Sequence, residues 1–259
     1  MTTMPGRLAV GLLSVVTAVP LLVGCSDDAA PTATATPTAS ASTGATPTSG
    51  GASTPSPTST LPTVAEVFRT ARTSALSAES GHVVGTTTHE DEQLRIDVEG
   101  TADGSNQTVF ITSPDGGTSE VITVDGEYWL GGDEAFWVEQ TGDAGAGRGM
   151  VGKYVQISES DATEKGAYLL RSILTERFAL PDIAAFESNT GPVAETEVDG
   201  RAAYVLGAEG GARLWVAADG SGTVLRIVGP PSAPSDLVFS EWNRAKTFTR
   251  PPASAIVEG

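Results

Sequence analysis

Residues Gly147-Arg148-Gly149-Met150-Val151-Gly152-Lys153 reproduce the spacing of a phosphate-binding loop, where backbone amides cradle phosphates and the lysine reaches the outer ones. That chemistry also needs Ser or Thr after the lysine to hold Mg²⁺, and Tyr154 stands there. Lys153 moreover opens a strand-like run where a helix should begin, so the stretch reads as a flexible glycine-rich loop. His82 and His89 are the only histidines. A hydrolytic triad would need one of them beside a serine and an acid, yet there is no G-x-S-x-G elbow. A zinc site would need more His or Cys than the chain offers. The acid pairs Asp133-Glu134 and Asp91-Glu92 could suggest glycoside or calcium chemistry. With 32 acidic residues such pairs arise by composition, and no D-x-D-x-D-G loop is present. No catalytic residue, metal or cofactor is expected.

The remaining chemical candidate is Cys25, the one cysteine. It closes the apolar run LAVGLLSVVTAVPLLVGC of residues 8–25, which follows a positive charge at Arg7. The run has the length of a signal-peptide core and is short for a membrane span. Its end, Leu22-Val23-Gly24-Cys25, is similar to a bacterial lipobox, in which small residues admit a signal peptidase and the sulfur takes a diacylglyceryl group. Residues 1–24 would then be removed and the chain would hang from the outer side of a cell membrane by lipidated Cys25. Each buried acyl CH₂ adds about 0.8 kcal/mol, so two or three chains anchor firmly where one would not. Losing Arg7, the single charge in residues 1–24, moves the formal charge from −17 to −18. Such acidity argues against nucleic acid and against broad docking on anionic lipid headgroups. With Cys25 modified no disulfide can form, and stability must come from a core.

Residues 26–60 are almost wholly Ala, Thr, Ser, Pro and Gly, with Asp27 and Asp28 the only charges. This composition cannot bury enough apolar surface to offset its ordering entropy, so a disordered tether is expected. Its r.m.s. span would be about 30–35 Å, and about 100 Å in polyproline-like extension. Its hydroxyls could also accept O-linked sugars, and a plain spacer is the simpler reading.

The composition changes at Leu61, and residues 61–259 are enough for one domain with a sizeable core. Thr63-Val64-Ala65-Glu66 reads as a capping box, with Val64, Val67, Phe68, Ala71 and Ala75 at helical spacing and Gly81 as the stop. Four β-rich runs follow, punctuated by Asp-Gly, Pro-Asp-Gly and Gly-Gly turns; Leu94, Ile96 and Val98 alternate with Arg95, Asp97 and Glu99. Phe136 and Trp137 sit in a short helix or turn. A strand is expected at residues 153–157, then a helix over residues 162–178 capped by Asp161 with Glu164, presenting Leu170, Leu174 and Phe178 and ended by Pro181. A second short helix is expected at residues 183–187, and strands resume from Ala194, the last spanning residues 236–242. One helix, strands, a helical middle and strands again form an α+β pattern without βαβ alternation. A large curved antiparallel sheet with helices packed on its concave face is the expected fold.

Val124-Asp125-Gly126-Glu127-Tyr128, Glu134-Ala135-Phe136-Trp137, Gly152-Lys153-Tyr154-Val155, Leu214-Trp215-Val216, Phe239-Ser240-Glu241-Trp242 and Pro251-Pro252-Ala253 together carry a resemblance. They resemble actinobacterial lipoproteins of the LppX/LprG type, over nearly all of residues 61–259. The resemblance implies a half-open β-barrel like that of the LolA/LolB carriers, whose helices line a hydrophobic cavity for acyl chains of lipids or glycolipids. Candidate lining residues are Val109, Ile111, Val121, Trp129, Phe136, Trp137, Leu170 and Leu174. The same side chains could close into a dry core.

Two functional expectations therefore stand. One is a monomeric, membrane-anchored, extracytoplasmic carrier of lipid or glycolipid. The other is a non-enzymatic cell-envelope interaction protein with a closed core, presenting the Phe136-Trp137 region to a partner. An exported hydrolase would require His82 or His89 to act in turnover.

Overall fold

In the computed structural model, residues 61–257 are described, except 90, 115, 167 and 209. Cys25, the leader and the tether lie outside them.

The chain begins with α1 (Val64–Ser77) and continues through β1 (Ser80–His89), β2 (Glu92–Thr101), β3 (Asn106–Ser113), β4 (Gly117–Val124) and β5 (Glu127–Gly132). A helical middle follows: α2 (Glu134–Thr141), α3 (Ala144–Met150), the strand β6 (Tyr154–Ile157), α4 (Glu159–Glu164), α5 (Leu170–Ala179) and α6 (Pro181–Ala184). The last strands are β7 (Ala194–Val198), β8 (Arg201–Leu206), β9 (Arg213–Ala217), β10 (Val224–Val228), β11 (Ser235–Ser240) and the short β12 (Ile256–Val257). All twelve form one sheet in the order β12-β6-β5-β4-β3-β2-β1-β11-β10-β9-β8-β7. Only the β12–β6 pairing is parallel. The sheet is curved and does not close, giving the α+β half-barrel expected from the pattern.

Directly opposed residues in antiparallel strands share a face. One such row runs Phe239, Val83, Val98, Val109, Val121, Leu130, Val155 across seven strands, and all but Val155 are buried. This is the concave face, on which α1 and α5 pack. Phe68 of α1 meets Phe178 of α5 at 5.8 Å between ring centroids and Phe186 at 6.1 Å. The capping box of α1 forms as its spacing requires: the Thr63 side chain accepts from the Glu66 amide, and Glu66 accepts from the Thr63 amide at 2.9 Å.

The helical middle departs from the sequence expectation in two places. The stretch read as a glycine-rich loop folds as α3, with Asp143 as its N-cap accepting from the Ala146 amide. Its glycines cost helix propensity, but Gly147 lies against α2 so closely that a Cβ would stand 2.6 Å from Val138 Cγ2. Close helix contact outweighs propensity here. The helix expected over residues 162–178 is two helices, α4 capped by Ser158 with Asp161, and α5. Gly166 between them adopts φ +79°, which ends α4. Gly81, expected as the stop of α1, lies inside β1, and α1 ends at Ser77.

After β11 the chain crosses the convex face as an extended strap. Asn106 holds it by a pair of bonds, donating to Phe248 O at 2.9 Å and accepting from the Phe248 amide at 2.8 Å. Buried Glu99 receives the Lys246 amide and ammonium, both at 3.2 Å. Arg250 pairs with Glu127 and lies 5.8 Å from the Trp129 ring centroid. Lys153, the lysine of the loop-like motif, donates to Ser254 O at 3.0 Å, so it clamps the strap.

Tyr154 on this convex face donates to Glu120 at 2.8 Å, and burial, then Glu120, push its phenol up to about 12. The neutral phenol is the form the fold prefers. Its contribution is therefore complete below the ordinary value of 10.0 and disappears as pH climbs from 10 to about 12. Urea titrations across that range should show the midpoint falling more steeply in the wild type than in Tyr154→Phe; parallel curves would show that the pair contributes nothing.

Candidate functional site: a seam between two apolar clusters

Two apolar clusters share the concave face. The larger joins α1, α5 and α6 to the sheet through Phe68, Leu174, Phe178, Ile183, Val98 and Val109 among others. The smaller gathers Val121, Leu130, Phe136, Trp137 and Ala162 beneath α2 and α4. Val109 and Val121 are direct partners in the β3–β4 register, yet each belongs to a different cluster. The seam between the clusters therefore follows the β3–β4 junction.

Three cross-strand pairs make its floor: Gln107 with Thr123, Val109 with Val121, and Ile111 with Ser119. From Gln107 to Ile111 the floor extends about 13 Å at roughly 3.3 Å per residue. Residues between α4 and α5 pass above it. A Cβ on Gly166 would stand 2.5 Å from Ile111 Cδ1, and Leu169 closes over Gly104 beside Gln107. A cleft opens at each end. One, of 470 Å³, is bounded by Asp103, Gly104, Thr123, Tyr128 and Leu169; the other, of 280 Å³, by Leu94, Ile111, Ser119 and Phe136. Thr163, Gly166 and Tyr168 line both. Tyr168 also borders a 70 Å³ recess at Arg177.

The larger cleft is lined mainly by apolar surface and the smaller by a mixture, and both are acidic at their mouths. Asp103, Glu159 and Glu176 border the larger, and Glu92, Glu139 and Glu164 the smaller, against Lys165 and the half-buried Arg177. Hydrogen bonds from the Ser105 amide, then from the Thr101 and Ser105 hydroxyls, hold the Asp103 carboxyl below its ordinary value, so it is ionised at neutral pH. Burial, then Glu159, pushes the Tyr128 phenol up; burial, then Glu176, does the same to Tyr168. Both are neutral donors at physiological pH. Arg177 has no carboxylate partner among the described residues; it donates to Thr87 at 2.8 Å and Ser235 at 3.3 Å, and burial lowers its affinity for a proton.

The candidate lining residues divide on this geometry. Ile111 and Phe136 face the smaller cleft. Val109 and Val121 form the middle of the floor at 1% and 0% exposure. Leu170 and Leu174, both 1% exposed, are instead packed in the larger cluster, on the buried side of α5. Trp137 packs inside the smaller cluster, 5.1 Å from Phe136 by ring centroids. Trp129 belongs to the opposite face: it pairs with Ile122 and Gln156, out of phase with Leu130, and the strap covers it. Adjacent Trp129 and Leu130 are both bulky and apolar, so composition alone does not decide which points inward. Phe136 and Trp137 are 7% and 5% exposed, which removes them as a presented partner surface. Sequence reasoning missed Gln107, Thr123, Tyr128 and Tyr168; Gln107 was legible as the polar member of the inward set Gln107, Val109, Ile111.

The Nε2 of His82 lies 2.7 Å from Asp97 Oδ1 and its Nδ1 3.4 Å from Ser240 Oγ, a serine–histidine–acid chain of the type expected of a hydrolase. It stands on the convex surface of β2, β1 and β11, each paired on both sides. The ladders occupy the neighbouring amides, leaving no donor pair for an oxyanion, and none of the five clefts described touches these residues. The arrangement cross-links three strands. Among the described residues, no cluster of three or more His, Cys, Asp or Glu is placed to hold a metal, and no helix is long and apolar enough to cross a membrane.

No protein-family model and no curated protein matches the chain. Solved structures do. LprF from Mycobacterium bovis is similar at 17% identity and TM-score 0.47, covering 74% of this chain and 100% of its own. The lipoprotein LppX of Mycobacterium tuberculosis is similar at 16% identity and TM-score 0.39, covering 73% and 98%. An uncharacterized conserved protein from Thermus thermophilus follows at 13% identity and TM-score 0.31, covering 75% and 98%. LppX, of the type that the sequence motifs resemble, is thus among the structures to which this chain is similar.

Proposed function

We propose that this chain is a lipid-anchored extracytoplasmic protein that binds amphiphiles, seating an acyl chain in the seam between its two concave-face clusters. The observation that carries this is the division of one continuous apolar row between two clusters, with a cleft at each end of the junction. A seam floored by Val109, Val121 and Ile111 releases water when an alkyl chain enters, at about 25 cal/mol per Å² of apolar area buried. The larger cleft, at 470 Å³, is of a size that small-molecule sites adopt.

Lipidated Cys25 and residues 26–60 would tether the domain to the membrane while leaving it room to reach an acceptor. The described surface carries few large exposed apolar side chains, namely Leu61, Val151 and Val238. That favours a carrier over a protein that docks through an apolar patch. Detergent-free purification of residues 61–259 from an actinobacterial host, followed by native mass spectrometry, tests the reading. A carrier emerges with acyl-chain mass attached.

A further inference from the structure

The polar end of the seam floor poses a physical question. Gln107 and Thr123 are each 1% exposed, and neither the Gln107 carboxamide nor the Thr123 hydroxyl finds a hydrogen-bond partner among the described residues. A buried polar group left unpaired is costly, and two directly opposed across strands on a largely apolar face are unusual. Thr123 borders the 470 Å³ cleft. The Gln107 carboxamide lies beside it beneath Gly104 and Leu169, both walls of that cleft. Tyr128 and Tyr168 also border it, with phenols kept neutral and no hydrogen bond from either hydroxyl among the described residues. Thr123, Tyr128 and Tyr168 thus border one end of the floor, rimmed by Asp103, Glu159 and Glu176, with the Gln107 carboxamide packed directly behind the cleft wall.

Resting on the amphiphile-binding reading, we infer that Gln107 and Thr123 determine specificity, selecting amphiphiles whose polar part is uncharged and rich in ester or hydroxyl groups. A carboxamide and a hydroxyl both donate and accept, so they satisfy an ester carbonyl or a sugar or glycerol hydroxyl equally. A phosphate or carboxylate would have to enter past three carboxylates, with no cation at that cleft to pair it. Arg177 lies at the separate 70 Å³ recess. Selectivity arises from two terms: polar groups left unpaired without the right ligand, and like charge at the rim against the wrong one.

The test uses residues 61–259, wild type and the Gln107→Leu/Thr123→Val variant, with a neutral fluorescent acyl probe displaced by three single-chain competitors of equal chain length: a monoacylglycerol, a fatty acid and a lysophosphatidic acid. The wild type is expected to prefer the monoacylglycerol at least tenfold over both anions. The variant should lose that preference to within about threefold while unfolding at an equal or higher urea concentration, since apolar isosteres of unpaired groups do not destabilise. A variant that keeps the preference overturns the assignment to these residues. Equal affinity of the wild type for all three overturns the selectivity and leaves the carrier reading standing. No displacement by any competitor, with no probe bound, overturns both.

Discussion

Substituting Cys25 by alanine is expected to abolish incorporation of radiolabelled palmitate into the chain in a lipoprotein-processing bacterial host. The expected effect is complete loss, because this sulfur is the one cysteine available. With two or three acyl chains of about sixteen carbons, each buried CH₂ adding about 0.8 kcal/mol, such an anchor would survive dilution and washing. Without it, an acidic chain carrying a formal charge of −17 has no electrostatic affinity for anionic headgroups to replace the lost acyl groups. Label that persists in Cys25→Ala, or an unlabelled wild type, would remove the anchor from this account.

The second large effect concerns the core. Phe68 is 0% exposed and joins α1 to α5 and to Phe186 through edge-on and tilted ring contacts. Phe68→Ala is expected to cost about 3–5 kcal/mol, the range for deleting a buried phenyl ring from a packed interior. For a domain of this size that lowers Tm by about 6–20 °C, at roughly 2–4 °C per kcal/mol. Calorimetry of residues 61–259 reads it directly. A loss below about 1 kcal/mol would mean that the helices on the concave face are loosely held and that the larger cluster is not a closed core.

The sheet and the first helix were legible because their signals are local. Thr63 and Glu66 sit at capping-box spacing, and the strict alternation of Leu94, Ile96 and Val98 with charged residues sets which side of β2 faces inward. The middle of the chain was not legible on those terms. Leu170, Leu174 and Phe178 continue a helical period back towards Asp161 and Glu164, so one helix was expected, and only the left-handed backbone at Gly166 divides it. The helical state of residues 144–150 depends on Gly147 touching Val138, a tertiary contact that composition contradicts.

The site itself was half legible. Val109, Val121 and Ile111 share a phase with the apolar row, which is why they were candidates and why they floor the seam. Trp129 was misplaced because its cover, the strap from Asn243 to Pro251, follows it by more than a hundred residues. The seam is a non-local feature, produced by where α4 and α5 part above β3 and β4. No single strand or helix announces it.

The most direct test of the central claim is native mass spectrometry of residues 61–259 purified without detergent, with collisional release and organic extraction of whatever is bound. The account predicts an added mass at one-to-one stoichiometry that extracts as an acyl-bearing, uncharged amphiphile. A bare polypeptide mass, unchanged after incubation with host lipid extract, would contradict it and leave the seam as a packing boundary between two closed cores.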